Sequence, residues 1–155
     1  MHWRTHHIGA VLYPANLYGF TDHTSAGAAS TGTGSPFDRL NDTSDLFRSV
    51  KIVVPYEADG TPSTGTSATV KWKLQHADST ASTAFSDFND IDGTTEHSFT
   101  VSTAGASGAD AADFNISGAK QYLRMEVVEE ANGTTATISY SGVGIFGGGD
   151  EPPAN

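Results

Sequence analysis

The sequence predicts an all-β protein, an antiparallel β-sandwich of which a jelly roll is one version. Three observations lead there. Short stretches alternate between apolar and polar residues, most clearly from Ala68 to His76. Turn-forming Gly, Ser, Thr, Pro and Asn separate these stretches. Helical spacing is nearly absent; only residues 37–48 approach it, and they read as a short turn or loop.

Taken in order, residues 1–20 carry a heavy aromatic load in Trp3, Tyr13, Tyr18 and Phe20. They read as an extended arm, with a short strand near 8–13 ended by Pro14. Residues 21–36 read as a linker of small residues. A strand at 50–56 stops near Pro55, and a turn-rich loop spans 57–66. In the next strand Val70, Trp72, Leu74 and His76 face one way, and Thr69, Lys71, Lys73 and Gln75 the other. A loop at 78–84 leads to 85–91, then a turn at Asp92-Gly93 and a strand at 97–102. Residues 103–112 read as a low-complexity loop and 114–117 as a short edge strand. From 119 to 129, Leu123, Met125 and Val127 oppose Tyr122, Arg124, Glu126 and Val128; helix is the competing reading, since these residues are good helix formers, and Val127-Val128 and the next turn favour strand. Residues 131–134, Ala-Asn-Gly-Thr, signal a hairpin, and 135–146 form its returning strand. The division is an arm and linker at 1–36, a β-sandwich domain at 37–146 and a flexible acidic tail at 147–155.

The length of 155 residues fits one domain with a real core. Hydrophobic residues at 37% and charged residues at 17% are low for an enzyme, and small polar residues fill the gap. Eight basic against 18 acidic residues give a net charge of −10. That balance opposes binding to nucleic-acid phosphates or anionic membranes. With no cysteine there is no disulfide, thiol nucleophile or zinc–thiolate centre. No apolar run has secretory or membrane-spanning length, so synthesis in a cytoplasm is expected.

The chemistry-bearing residues do not assemble into a recognisable motif. Of six histidines, His2, His6 and His7 lie in the arm, and His76 reads as a structural histidine. Residues 86–96 suggest a calcium loop, but Phe88 and Phe99 occupy the first and twelfth ligand places of an EF-hand. An irregular site using Asp87, Asp90 and Asp92 is the remaining option. There is no G-x-S-x-G elbow, and the Gly-rich stretches lack the lysine of a phosphate loop. No catalytic residue, metal or cofactor is expected. Trp72 shares its face with Val70 and Leu74 and reads as core, whereas the arm aromatics suit contact with a partner. Lys71 and Lys73 are placed to moderate the chain's own repulsion, to blunt a sheet edge or to pair with acids of a neighbouring subunit.

Two stretches carry a resemblance. VKWKLQHADS at 70–79, followed by FSDF at 85–88, is similar to a strand and loop of small tailed-bacteriophage head and tail proteins. AKQYLRMEVV at 119–128, leading to TATISY at 135–140, resembles a later strand of the same proteins. The resemblance covers about half the chain. It implies a capsid decoration (cement) protein that binds outside an icosahedral head. Its partners would be the major capsid protein and itself, as homodimer or homotrimer. It would sit on the capsid exterior of a virion and have no enzymatic activity. The implied contact residues are Trp3, Arg4, Tyr13, Tyr18, Phe20, Lys71 and Lys73. The alternatives are a carbohydrate- or receptor-binding sandwich of a phage tail or fibre, or a head–tail structural protein.

Overall fold

Alternation of buried and exposed residues sets the strands. In the computed structural model, residues 13–25, 29–39, 47–59, 67–102, 105–132 and 136–147 are described. The strands in chain order are β1 (Tyr13–Ser25), β2 (Ser30–Thr33), β3 (Phe37–Asp38), β4 (Ser49–Asp59) and β5 (Ser67–Ala77). They continue as β6 (Ser86–Phe88), β7 (His97–Val101), β8 (Ser107–Asn115), β9 (Tyr122–Asn132) and β10 (Ala136–Gly147). Single 3-10 turns occupy Ser82–Ala84 and Ile116–Gly118.

All pairing is antiparallel. The first sheet has the order β1-β10-β4-β8. The second has the order β2-β9-β5-β6, with β3 also on β9 and β7 also on β5. Taking β2 with β3, and β6 with β7, as interrupted strands leaves four strands per sheet. This order, with first and last strands adjacent and the chain crossing repeatedly between sheets, is that of a jelly roll.

The core lies between the sheets. Val50, Ile52, Val54, Phe114, Ile138 and Tyr140 of the first sheet meet Val70, Trp72, Leu74, Leu123, Met125 and Val127 of the second in one buried cluster. The inward faces expected for β5 and β9 are the observed ones. At one end Phe37 stacks on Phe146 at 4.4 Å, with Phe47 at 5.5 Å from Phe146. Offset aromatic packing of this kind closes the end of the sandwich.

Four expectations change. The arm and linker boundary at residue 36 does not hold for the described residues. β1 pairs with β10 from Tyr13 to Ser25, and β2 and β3 pair with β9. Leu17 and Tyr18 are consecutive yet both buried, because register shifts after Asn16 and Tyr18 turn the strand. The loop expected at 103–112 is largely strand: β8 pairs with β4 from Ser107 to Asn115. Its small residues weaken the apolar signal, while its neighbour supplies the ladder. β9 and β10 lie in different sheets, so the two strands form no hairpin. Finally, β5 is interior, flanked by β9 on one side and by β6 and β7 on the other, so Lys71 and Lys73 blunt no edge. Trp3, Arg4 and the tail at 148–155 lie outside the described residues.

Candidate interaction surfaces

The outer face of the second sheet is built from the polar sides of β5, β6 and β9. Lys73 Nζ lies 3.0 Å from both Asp87 Oδ2 and Glu126 Oε1. Gln75 Nε2 donates to Asp87 Oδ1 at 2.8 Å, and Arg124 Nε donates to Gln75 Oε1 at 2.8 Å. The Arg124 guanidinium also lies 4.0 Å over the Phe85 ring. Lys71 Nζ meets Glu130 Oε1 at 3.2 Å. The hydrogen bond from Glu126 raises the Lys73 pKa, burial opposes it, and Asp87 adds to the rise. Burial pushes the Asp87 carboxyl up, but Gln75 and Lys73 hold it below its ordinary value on balance. Lys71 and Lys73 are thus paired within the chain.

The outer face of the first sheet is different. Across its middle run two apolar rows. Val143, Val53 and Ala111 stand side by side on β10, β4 and β8, and Pro55 stands beside Ala109. Beyond them lie Ile145, Lys51 and Asp113 in register at one end of the sheet. Ser139, Glu57 and Ser107 lie in register at the other. Lys51 Nζ pairs with Asp113 Oδ2 at 3.1 Å. An open depression lies at each end. One is lined by Phe20, Pro55, Glu57, Ser107 and Ser139, the other by Lys51, Ile91, Asp113 and Ile145. Phe20 is 70% exposed, Ile91 62% and Ile145 38%. The sequence carried a sign of this face: Ile52-Val53-Val54 and Ile145-Phe146 are apolar without alternation, the mark of a strand apolar on both sides.

The aromatics once grouped as an arm divide three ways. Tyr18 is a core residue, 7% exposed and stacked on Tyr140 with ring centroids 5.8 Å apart. Tyr13 is half exposed but rests against Phe37 and Phe47 at 6.0 and 5.9 Å. Phe20 projects.

The titratable clusters are framework. Asp90 Oδ1 accepts from the backbone N–H groups of Asp92 and Thr94, shaping the turn at Gly93, whose φ is +83°. Its other oxygen lies 3.4 Å from His97 Nε2. Asp87 turns away to Lys73 and Gln75, so the three aspartates do not converge. Among the described residues no group of three or more His, Asp or Glu is placed to hold a metal ion. The backbone N–H of Lys120 donates to His76 Nδ1 at 3.3 Å, and burial, then Lys120, lower the His76 pKa. Sequence reading missed Glu129, which is buried at an inward position of β9. Burial, then Tyr18 and Glu129 beside it, push the Tyr140 phenol far above its ordinary value. Also missed was Arg39, whose guanidinium donates to the carbonyls of Lys120, Ile116, Phe47 and Ala119.

The strand order defines an antiparallel jelly-roll sandwich. No family model matches the chain, and no curated protein matches it. Among solved structures it is similar to one described as Bacillus endospore appendages, a family of disulfide-linked pili. The identity there is 12%, the TM-score 0.39, and 88% of each chain is covered. It is similar to a structure of Desmodium yellow mottle tymovirus at 12% identity and TM-score 0.32, covering 92% of this chain and 93% of that one. A third, an infectious bursal disease virus VP2 subviral particle, gives 11% identity and TM-score 0.27 over 90% of this chain and 42% of that one.

Proposed function

We propose that this chain is a non-enzymatic structural protein of a virion, a decoration (cement) protein on the exterior of a tailed-phage head. The observation that carries this reading is the contrast between the two outer faces. One is closed by its own ion pairs, while the other is apolar with a projecting Phe20. A flat apolar face with an aromatic anchor suits a protein partner better than a small substrate. The strands at 70–88 and 119–140 that resemble phage head and tail proteins support the same reading. The major capsid protein is the proposed partner, with further copies of this chain beside it. Trp3, Arg4 and Tyr13 would contact the shell, Phe20 would meet a partner chain on the apolar face, and Lys71 and Lys73, paired within the chain on the opposite face, are withdrawn from the set. Tyr18 is withdrawn from that set by its burial.

Removing only residues 1–12 tests the arm, because Leu17 and Tyr18 of β1 belong to the core. Undecorated capsids would be incubated with the full chain, with the truncated chain and with Phe20→Ala. Full-chain binding should raise the temperature at which capsids break open. The truncated chain should fold and stay unbound. Full occupancy by the truncated chain would sink the arm's role, and no binding by the full chain would sink the decoration reading. Selective glycan binding lost in Phe20→Ala would assign the receptor-binding alternative instead.

A further inference from the structure

We infer that the outer face of the first sheet is a two-fold self-association surface, joining two copies through β4 laid across β4. The inference names the surface for the self-association in the proposal above. A chain of net charge −10 repels its own copies, so a contact between copies is least costly where little net charge faces outward. The middle of this face meets that condition: from the Ile145 row to the Ser139 row, β10, β4 and β8 carry Lys51, its partner Asp113 and Glu57, with Asp22 of β1 and Asp59 of β4 in register at the Glu57 end.

The placement of those charges is self-complementary. Lys51 and Glu57 both face outward on β4, six residues apart, which is about 20 Å along a strand. Val54 lies midway between them. A two-fold axis crossing the strands at that level, parallel to the face, turns one sheet over onto the other end to end. It sets Lys51 of each copy against Glu57 of the other. It lays the central rows of Val53, Val143 and Pro55 against each other. It also brings Phe20 of each copy over the depression beside Ile145 of the other. Contacts that repeat under the same operation are those of an isologous interface, and stacked sheets aligned within about 30° are a standard packing. A two-fold running along the strands would instead set Lys51 on Lys51 and Glu57 on Glu57, so the charges select the axis.

Charge exchange tests this. The full chain should sediment as a dimer. Lys51→Glu alone makes each contact a pair of acids, and Glu57→Lys alone makes each a pair of lysines. Each should weaken dimerisation at least about tenfold while melting as a folded protein. Mixing the two variants should restore a dimer containing one copy of each, because every contact then has opposite charges. Val53→Asp should abolish association in either background. A wild-type chain that stays monomeric overturns the inference. So does a dimer indifferent to all three substitutions, or a pair of variants that fails to recover on mixing. A monomer that still decorates capsids would remove this surface and leave the decoration reading standing.

Discussion

The indole Nε1–H of Trp72 donates to Asp110 Oδ2 at 2.8 Å, joining the centre of β5 in one sheet to β8 in the other. The second oxygen of Asp110 accepts from the backbone N–H of Ala111 at 3.0 Å. One carboxylate therefore satisfies a buried tryptophan and holds the edge strand β8 against the core. Trp72→Phe keeps most of the packing and removes the donor, and Asp110→Ala removes the acceptor. Each should cost about 1–3 kcal/mol in urea unfolding. The double variant should cost less than the sum, because the two share one interaction. Additive losses would show that the hydrogen bond contributes nothing.

Arg39 joins separate segments through four backbone carbonyls, those of Lys120, Ile116, Phe47 and Ala119. A planar guanidinium satisfies acceptors in several directions at once, and a lysine ammonium does so poorly. Arg39→Ala should destabilise by about 3 kcal/mol, and Arg39→Lys should recover less than half of that. A lysine variant as stable as the wild type would refute the fork geometry.

The pair of Lys73 and Asp87 predicts a pH window. Asp87 is held below the ordinary carboxylate range, so it stabilises the fold above that range and stops doing so as pH falls through its folded value. Lys73 is held above the ordinary lysine value, so its contribution is full below that value and fades as pH rises through the folded one. The pair therefore acts between these limits. Asp87 is partly exposed, and solvent screening limits the effect. Asp87→Asn should cost no more than about 1 kcal/mol at neutral pH. The gap to the wild type should close as pH falls below the ordinary carboxylate range. A gap that stays constant across the acid range would rule out the charge as its source.

Gly34 sits where β1 and the second sheet come together. A Cβ there would lie 1.7 Å from the Leu17 carbonyl oxygen, which belongs to backbone and cannot swing aside. Its N–H donates to the Met125 carbonyl at 2.8 Å. Gly34→Ala should cost about 2–3 kcal/mol through forced separation. Gly93→Ala, with open space but a left-handed backbone, should cost about 1 kcal/mol. An unchanged melting temperature for Gly34→Ala would show that the approach is not tight.

How much was legible depends on the kind of information. The faces of β5 and β9 were readable because a period of two places Val70, Trp72 and Leu74, or Leu123, Met125 and Val127, on one side whatever the partner strand. β8 was not, because Ser, Gly, Ala and Asp carry almost no apolar signal and the strand is defined by its ladder to β4. The Asn-Gly signal after Ala131 misled because a local turn preference says nothing about which sheet the next strand joins. Of the candidate contacts, Phe20 and Tyr18 looked alike in sequence, and the bulges in β1 sent one outward and one into the core.

The sequence by itself determined that this is a cysteine-free, acidic, strand-built protein, and it determined which side of its best strands faces inward. Only the tertiary structure decided who pairs with whom. It gave Trp72 an acceptor 38 residues away, put Lys73 between Asp87 and Glu126, and set Lys51 and Glu57 at opposite ends of an apolar face. The physical reason is that alternation encodes a face within one strand. Pairing between strands is settled by burying all the faces at once, through contacts distant along the chain.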